Sequence, residues 1–133
     1  MNVVFDTNVF IAALITEGLC SRLLHRARAG EFALVACPVI MEEIQRALRQ
    51  KFKLTHDEIT RATAPIVEAI SRMLEPETSI TGVCRDADDD NIPACAVAAR
   101  AEYLVTGDAD LLTMGSFREV IIVSPRDFEA LFV

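Results

Sequence analysis

Short apolar runs alternate with helix-patterned segments along this chain, and that alternation limits the folds open to it. The runs are Val3-Val4-Phe5, Phe32-Ala33-Leu34-Val35-Ala36-Cys37, Tyr103-Leu104-Val105 and Val120-Ile121-Ile122-Val123. Each is too short for a helix and is apolar at successive positions rather than at every second one. A strand that is apolar on both faces is expected to be covered on both, as in a parallel sheet between helical layers. The expected fold class is therefore α/β, with a central, mainly parallel sheet. With 133 residues and no repeat, linker or low-complexity segment, a single domain spanning 1–133 is expected.

Punctuation residues place the helices. Asn8 is able to cap a helix through Leu14, and Gly18 breaks it. Ser21 to Ala29 reads as amphipathic, with Leu23, Leu24 and Ala27 inward, stopped by Gly30. Pro38 suits the first turn of a helix to about Gln50. Thr55 caps a longer one, from His56 to Leu74, which Pro65 is expected to kink or split. Ser79 to Val83 reads as a short edge strand, and Ile92 to Ala101 as an alanine-rich helix. Ser124 caps a terminal helix from Arg126 to Phe132.

Composition excludes several classes. The chain is 52% hydrophobic and 25% charged, as a compact globule is. No apolar stretch has the length of a membrane span, and the N-terminus has no basic start or cleavage site, so a cytoplasmic location is expected. The four cysteines are widely spaced and there are only two histidines, which argues against zinc. Cys37 and Cys95 sit in apolar surroundings, and free thiols are expected throughout.

Acidic residues concentrate in four segments: Asp6, the pair Glu42-Glu43, the run Asp86 to Asp90, and Asp108 with Asp110. Asp6 and Asp108 follow apolar strands, where a parallel sheet delivers side chains to a crevice. Asp6 could instead cap the next helix, but Asn8 can also do that. Glu42 and Glu43 point about 100° apart on their helix, and Glu43 shares the side of Ile40 and Ala47. Asp86, Asp88 and Asp89 read as loop acids that complement a helix N-terminus, whereas Asp90 lies nearest the helix that enters the core. Asp108 could be a turn residue after Gly107, and Asp110 a helix-start acid.

Carboxylates gathered in one place repel each other and resist burial, so their convergence implies a hard cation such as Mg²⁺ or Mn²⁺. Such ions activate water against a phosphodiester. No Ser, Cys or His stands in a nucleophile–base context. The net charge of −7, from 13 basic and 20 acidic residues, opposes nucleic-acid binding when taken alone. Two basic clusters, Arg22 to Arg28 and Arg46 to Lys53, temper that, and Arg22, Arg26 and Arg46 could flank the acids and meet phosphates. The bland reading of each is a solvated helix face. Asp6-Thr7-Asn8 lacks the Asp-x-Asp of haloacid-dehalogenase-type phosphatases, and no calcium loop or receiver-type acidic pair is present.

The ordered set F-D-T-N-V-F, C-P-V-I-M-E-E-I, R-D-A-D-D-D, Y-L-V-T-G-D-A-D-L-L and V-S-P-R-D-F resembles PIN-domain proteins across essentially the whole chain. It is most similar to the VapC-like branch of toxin–antitoxin pairs. The resemblance implies a three-layer α/β/α sandwich and an Mg²⁺- or Mn²⁺-dependent endoribonuclease site. By position it places the acids on Asp6, Glu43, Asp90 and Asp108, with Asp110 as a further metal-binding acid and Asn8 and Thr106 as supporting polar residues. It also implies an RNA substrate, a cognate antitoxin, a homodimer and no membrane. Cys37 and Pro93 depart from the residues frequent in the family, Ser and a larger apolar residue. The other reading open to the chain is a non-catalytic scaffold that binds RNA or protein.

Overall fold

A computed structural model describes residues 1–76 and 91–132. The first half runs β1 (Asn2–Phe5), α1 (Thr7–Ile15), α2 (Leu19–Arg28), β2 (Ala33–Ala36), α3 (Pro38–Gln50), α4 (His56–Ala69) and β3 (Ile70–Met73). The second runs α5 (Asn91–Ala98), β4 (Tyr103–Val105), α6 (Ala109–Met114), β5 (Ser116–Phe117), β6 (Val120–Val123) and α7 (Pro125–Glu129), closed by a 3₁₀ turn over Ala130–Phe132.

The strands form one sheet in the order β3-β2-β1-β4-β6-β5. Neighbours from β3 to β6 pair in parallel, and β5 alone runs antiparallel, against β6. Val3, Val4 and Phe5 of the central β1 are fully buried. Successive strand side chains point to opposite faces, so both faces of the sheet are covered. This is the three-layer α/β/α sandwich that the apolar runs foretell. The chain leaves β1 toward β2 and β3, then returns to place β4 on the other side of β1. The strand order therefore reverses between β1 and β4, the place where sheets of this kind offer a binding crevice at their carboxyl ends.

Several sequence expectations give way to the structure. The helix expected to reach Leu74 ends at Ala69, and residues 70–73 pair with β2 instead. Ile70, Met73 and Leu74 continue the apolar spacing of the helix, but Met73 is 46% exposed, so that spacing did not mark a core face. Pairing with β2 satisfies backbone groups that an edge would leave open. Pro65 neither ends nor splits α4. The carbonyl its ring leaves unbonded belongs to exposed Arg61, where water can serve it. The two-residue β5 carries too little pattern to be read. The proposed edge strand at 79–83 lies outside the described residues.

The cysteine expectation is also corrected. Cys37 and Cys95 form a disulfide with Cα atoms 6.0 Å apart, while Cys20 is free; Cys84 lies outside the described residues. The end of β2 and the core face of α5 bring both fully buried cysteines into bonding range. Distance along the sequence, 58 residues, hid that approach.

Arg26 closes the fold at its C-terminal end. Its Nε and Nη2 donate to Glu129 and its Nη1 to Glu31, and the guanidinium lies 4.8 Å from the centre of the Phe132 ring. Phe128 and Phe132 join Phe5, Phe32 and Tyr103 in an aromatic cluster beneath.

Candidate functional site

Asp6 occupies the first position past β1, and its backbone N–H donates to the Val105 carbonyl of β4 at 2.9 Å. The residue is the N-cap of α1 by position, with extended backbone, but its side chain makes no capping bond. The expectation that Asn8 is the cap is thus corrected: Asn8 lies inside the helix and is exposed. The Asp6 carboxylate lies near the Thr7 and Asn8 amides but forms no capping bond at α1. It is turned toward β4, where the Thr106 hydroxyl donates to its Oδ2 at 2.6 Å.

Thr106 itself is fully buried. Its hydroxyl oxygen accepts the Asp108 backbone N–H at 3.0 Å while its proton goes to Asp6. One threonine therefore ties the ends of the two strands that flank the switch point. Asp108 lies just beyond, half-buried, and its Oδ2 accepts the Leu111 N–H at 3.0 Å to cap α6. The capping and site readings of Asp108 are compatible, since a carboxylate has several lone pairs.

Asp6 is only 8% exposed. Burial raises its pKa above the ordinary value, opposed by the Thr106 hydroxyl and the Thr7 and Asn8 amides, and reinforced by the Asp108 charge. A carboxylate desolvated and set near another acid favours a cation beside it.

Glu43 reaches the same region from α3. It is half-buried, whereas Glu42 is exposed. Its Oε2 accepts the Thr7 hydroxyl at 2.7 Å, so the carboxylate is docked on the residue that follows Asp6. Sequence reasoning gave Thr7 no role. Its only signal was a hydroxyl in the first turn of a helix starting at the crevice.

Asp110 is exposed in the first turn of α6. Asp90 and its neighbours Asp86, Asp88 and Asp89 lie outside the described residues. The helix that begins at Asn91, α5, packs against both β1 and β4. Among the described residues no group of three or more His, Cys, Asp and Glu is placed to hold a metal ion. What the structure brings together is Asp6 with Asp108, and Glu43 with Thr7. The donors are hard oxygens, a set that suits Mg²⁺ or Mn²⁺ and not thiolate-seeking metals.

The basic side chains are arranged differently from expectation. Arg26 does not stand ready for phosphates, because Glu129 and Glu31 hold it. Arg28 pairs with Glu68 at 2.7 Å. Arg22 and Arg46 are exposed on their helices.

An α/β/α sandwich with buried and half-buried acids at the switch point of its sheet defines the class of protein. The chain belongs to the PIN domain family, whose members are generally nucleases: the family's sequence profile matches residues 2–110. It is 30% identical over 118 residues to an uncharacterized protein of Methanocaldococcus jannaschii, covering 86% of this chain and 75% of that one. The fold is similar to that in the crystal structure of VapBC2 from Rickettsia felis bound to a DNA fragment from their promoter. That match has a TM-score of 0.67 and 13% identity, covering 93% of this chain and 98% of the other. No single helix among the described residues is long and apolar enough to cross a membrane.

Proposed function

We propose that the chain is a metal-dependent endoribonuclease that hydrolyses RNA phosphodiester bonds with Mg²⁺ or Mn²⁺, and that it acts as the toxin of a toxin–antitoxin pair. The observation that carries this reading is the desolvated Asp6 carboxylate, held by Thr106 beside Asp108 at the switch point. Asp6, Glu43, Asp90 and Asp108 are the acids assigned to the cation, with Asp110 as a fifth. A divalent cation supplies a more acidic water and neutralises charge on the scissile phosphate.

The chain's own residues do the remaining work. Thr106 fixes the rotamer of Asp6, so that its carboxylate is pre-aimed before any cation arrives. Exposed Asn8, two residues further on, presents an amide to a phosphate or ribose oxygen at the mouth of the crevice. Phe5 and Val105, the last residues of β1 and β4, are fully buried next to Asp6 and Thr106 in the chain, and burial at the strand ends strengthens each charge interaction there.

A toxin role draws support from the family and from the fold shared with VapBC2, and it carries with it an antitoxin partner, a homodimer and a cytoplasmic location. The competing reading, a non-catalytic scaffold, draws on Asp108, one of whose oxygens already caps α6. Incubating labelled single-stranded RNA with the protein, in Mn²⁺ and after chelation, separates the two. Cleavage that needs the cation supports the nuclease. RNA that is bound but left intact under both conditions points to the scaffold.

A further inference from the structure

Among the described residues, five threonine hydroxyls donate hydrogen bonds of two kinds. Thr16, Thr60 and Thr63 donate to the carbonyl four residues earlier, as threonines within and at the ends of helices commonly do. Thr7 and Thr106 instead donate to carboxylates far away in sequence, Glu43 and Asp6, and both lie at the acidic crevice. Thr7 is the first residue of α1, so no earlier helical carbonyl competes for its proton. Its backbone amide favours the charged form of Asp6 while its hydroxyl serves Glu43. One residue therefore reaches two acids that come from different elements.

We propose that Thr7 is a positioning residue for Glu43, fixing the carboxylate of α3 against the start of α1 so that it meets a bound cation in one orientation. The proposal rests on the nuclease reading above. A glutamate side chain has three rotatable bonds and, on an open helix face, samples many rotamers. The 2.7 Å bond to Thr7 selects one of them. The donor is itself confined, because a β-branched side chain has few χ1 choices in a helix. Carboxylate ligands held this way lose about 10- to 100-fold in metal affinity or activity when the supporting group is removed.

The test uses Thr7→Val, which keeps the shape and deletes the hydroxyl, with Thr7→Ala as a second deletion and Thr7→Ser as the conservative variant. Mn²⁺ binding to the full chain is titrated by the electron paramagnetic resonance signal of the free ion, and single-turnover RNA cleavage is measured alongside. Both deletions are expected to weaken Mn²⁺ binding about 10- to 100-fold, and Thr7→Ser to restore it. Thr60→Val, which removes a hydroxyl bonded to its own helix, is expected to change nothing. In a Glu43→Gln background Thr7→Val should add no further loss, because the two act as a unit.

Wild-type Mn²⁺ affinity in both deletion variants, or full additivity with Glu43→Gln, overturns the proposal while leaving the nuclease reading intact. If the wild-type chain neither binds Mn²⁺ nor cleaves RNA, the nuclease reading fails and the role of Thr7 fails with it.

Discussion

Asp6 is held where its own charge is disfavoured, and this gives the residue a measurable signature without any cation present. Burial raises its pKa in the folded chain above the unfolded value. A raised carboxylate contributes stability that is complete below the unfolded pKa and lost as pH rises through the folded one. At pH 7 the charge therefore works against folding. Asp6→Asn is expected to raise the thermal midpoint at pH 7 in the absence of metal, with the gain shrinking below the unfolded value of 3.8. Thermal unfolding at both pH values checks it, and an unchanged or lowered midpoint at pH 7 contradicts it. Thr106→Val is expected to destabilise by about 1–3 kcal/mol, since it strips the partner from a buried carboxylate oxygen and from the Asp108 amide; urea unfolding reads this directly. The strand-end placing of Asp6 and Asp108 was legible because position after an apolar run is local information. The role of Thr7 was not, because its partner lies 36 residues away and its local setting reads only as the start of a helix.

At the scale of elements, a disulfide and an ion pair each join segments far apart in sequence. The Cys37–Cys95 disulfide links the end of β2 to α5 across 58 residues. In the chain-entropy account, closing a loop of that length stabilises the fold by about 4 kcal/mol. Peptide mapping after alkylation of the unreduced, unfolded protein should find both cysteines unmodified, and reduction should lower the thermal midpoint; alkylation of both at the outset would refute the link. The Arg26–Glu129 pair fastens α2 to α7, and Arg26 holds the Glu129 carboxyl below its usual range. A lowered carboxylate contributes stability above its unfolded value of 4.5, which is lost as pH falls through the folded value. Arg26→Ala should therefore lower the thermal midpoint at pH 7, and the gap to wild type should narrow near pH 3. The helices and central strands could be read from capping residues and apolar runs. The strand β3 could not, because its spacing continued that of α4 and only pairing with β2 distinguishes the two outcomes.

For the whole molecule, the net charge of −7 and the proposed cation site make opposite demands on the proposed RNA substrate. General repulsion is expected, relieved only where a cation bridges acid and phosphate. Two of the basic groups at hand for a phosphate track are already committed, Arg26 and Arg28 being paired to glutamates. RNA affinity should therefore fall far less between about 50 and 200 mM salt than the 10³- to 10⁵-fold seen with six to ten phosphate contacts. Fluorescence anisotropy with a catalytically silent variant measures that slope. The central claim is that particular acids within the four segments, Asp6 foremost, and not acidity at large, carry the chemistry. Single-turnover cleavage of one single-stranded RNA in Mn²⁺ by wild type, Asp6→Asn and Glu42→Gln tests it most directly. The prediction is that Asp6→Asn loses more than the about 100-fold expected of a merely supporting residue, while Glu42→Gln cleaves as wild type does. Equal rates for Asp6→Asn and wild type, or equal losses in the two variants, would contradict it.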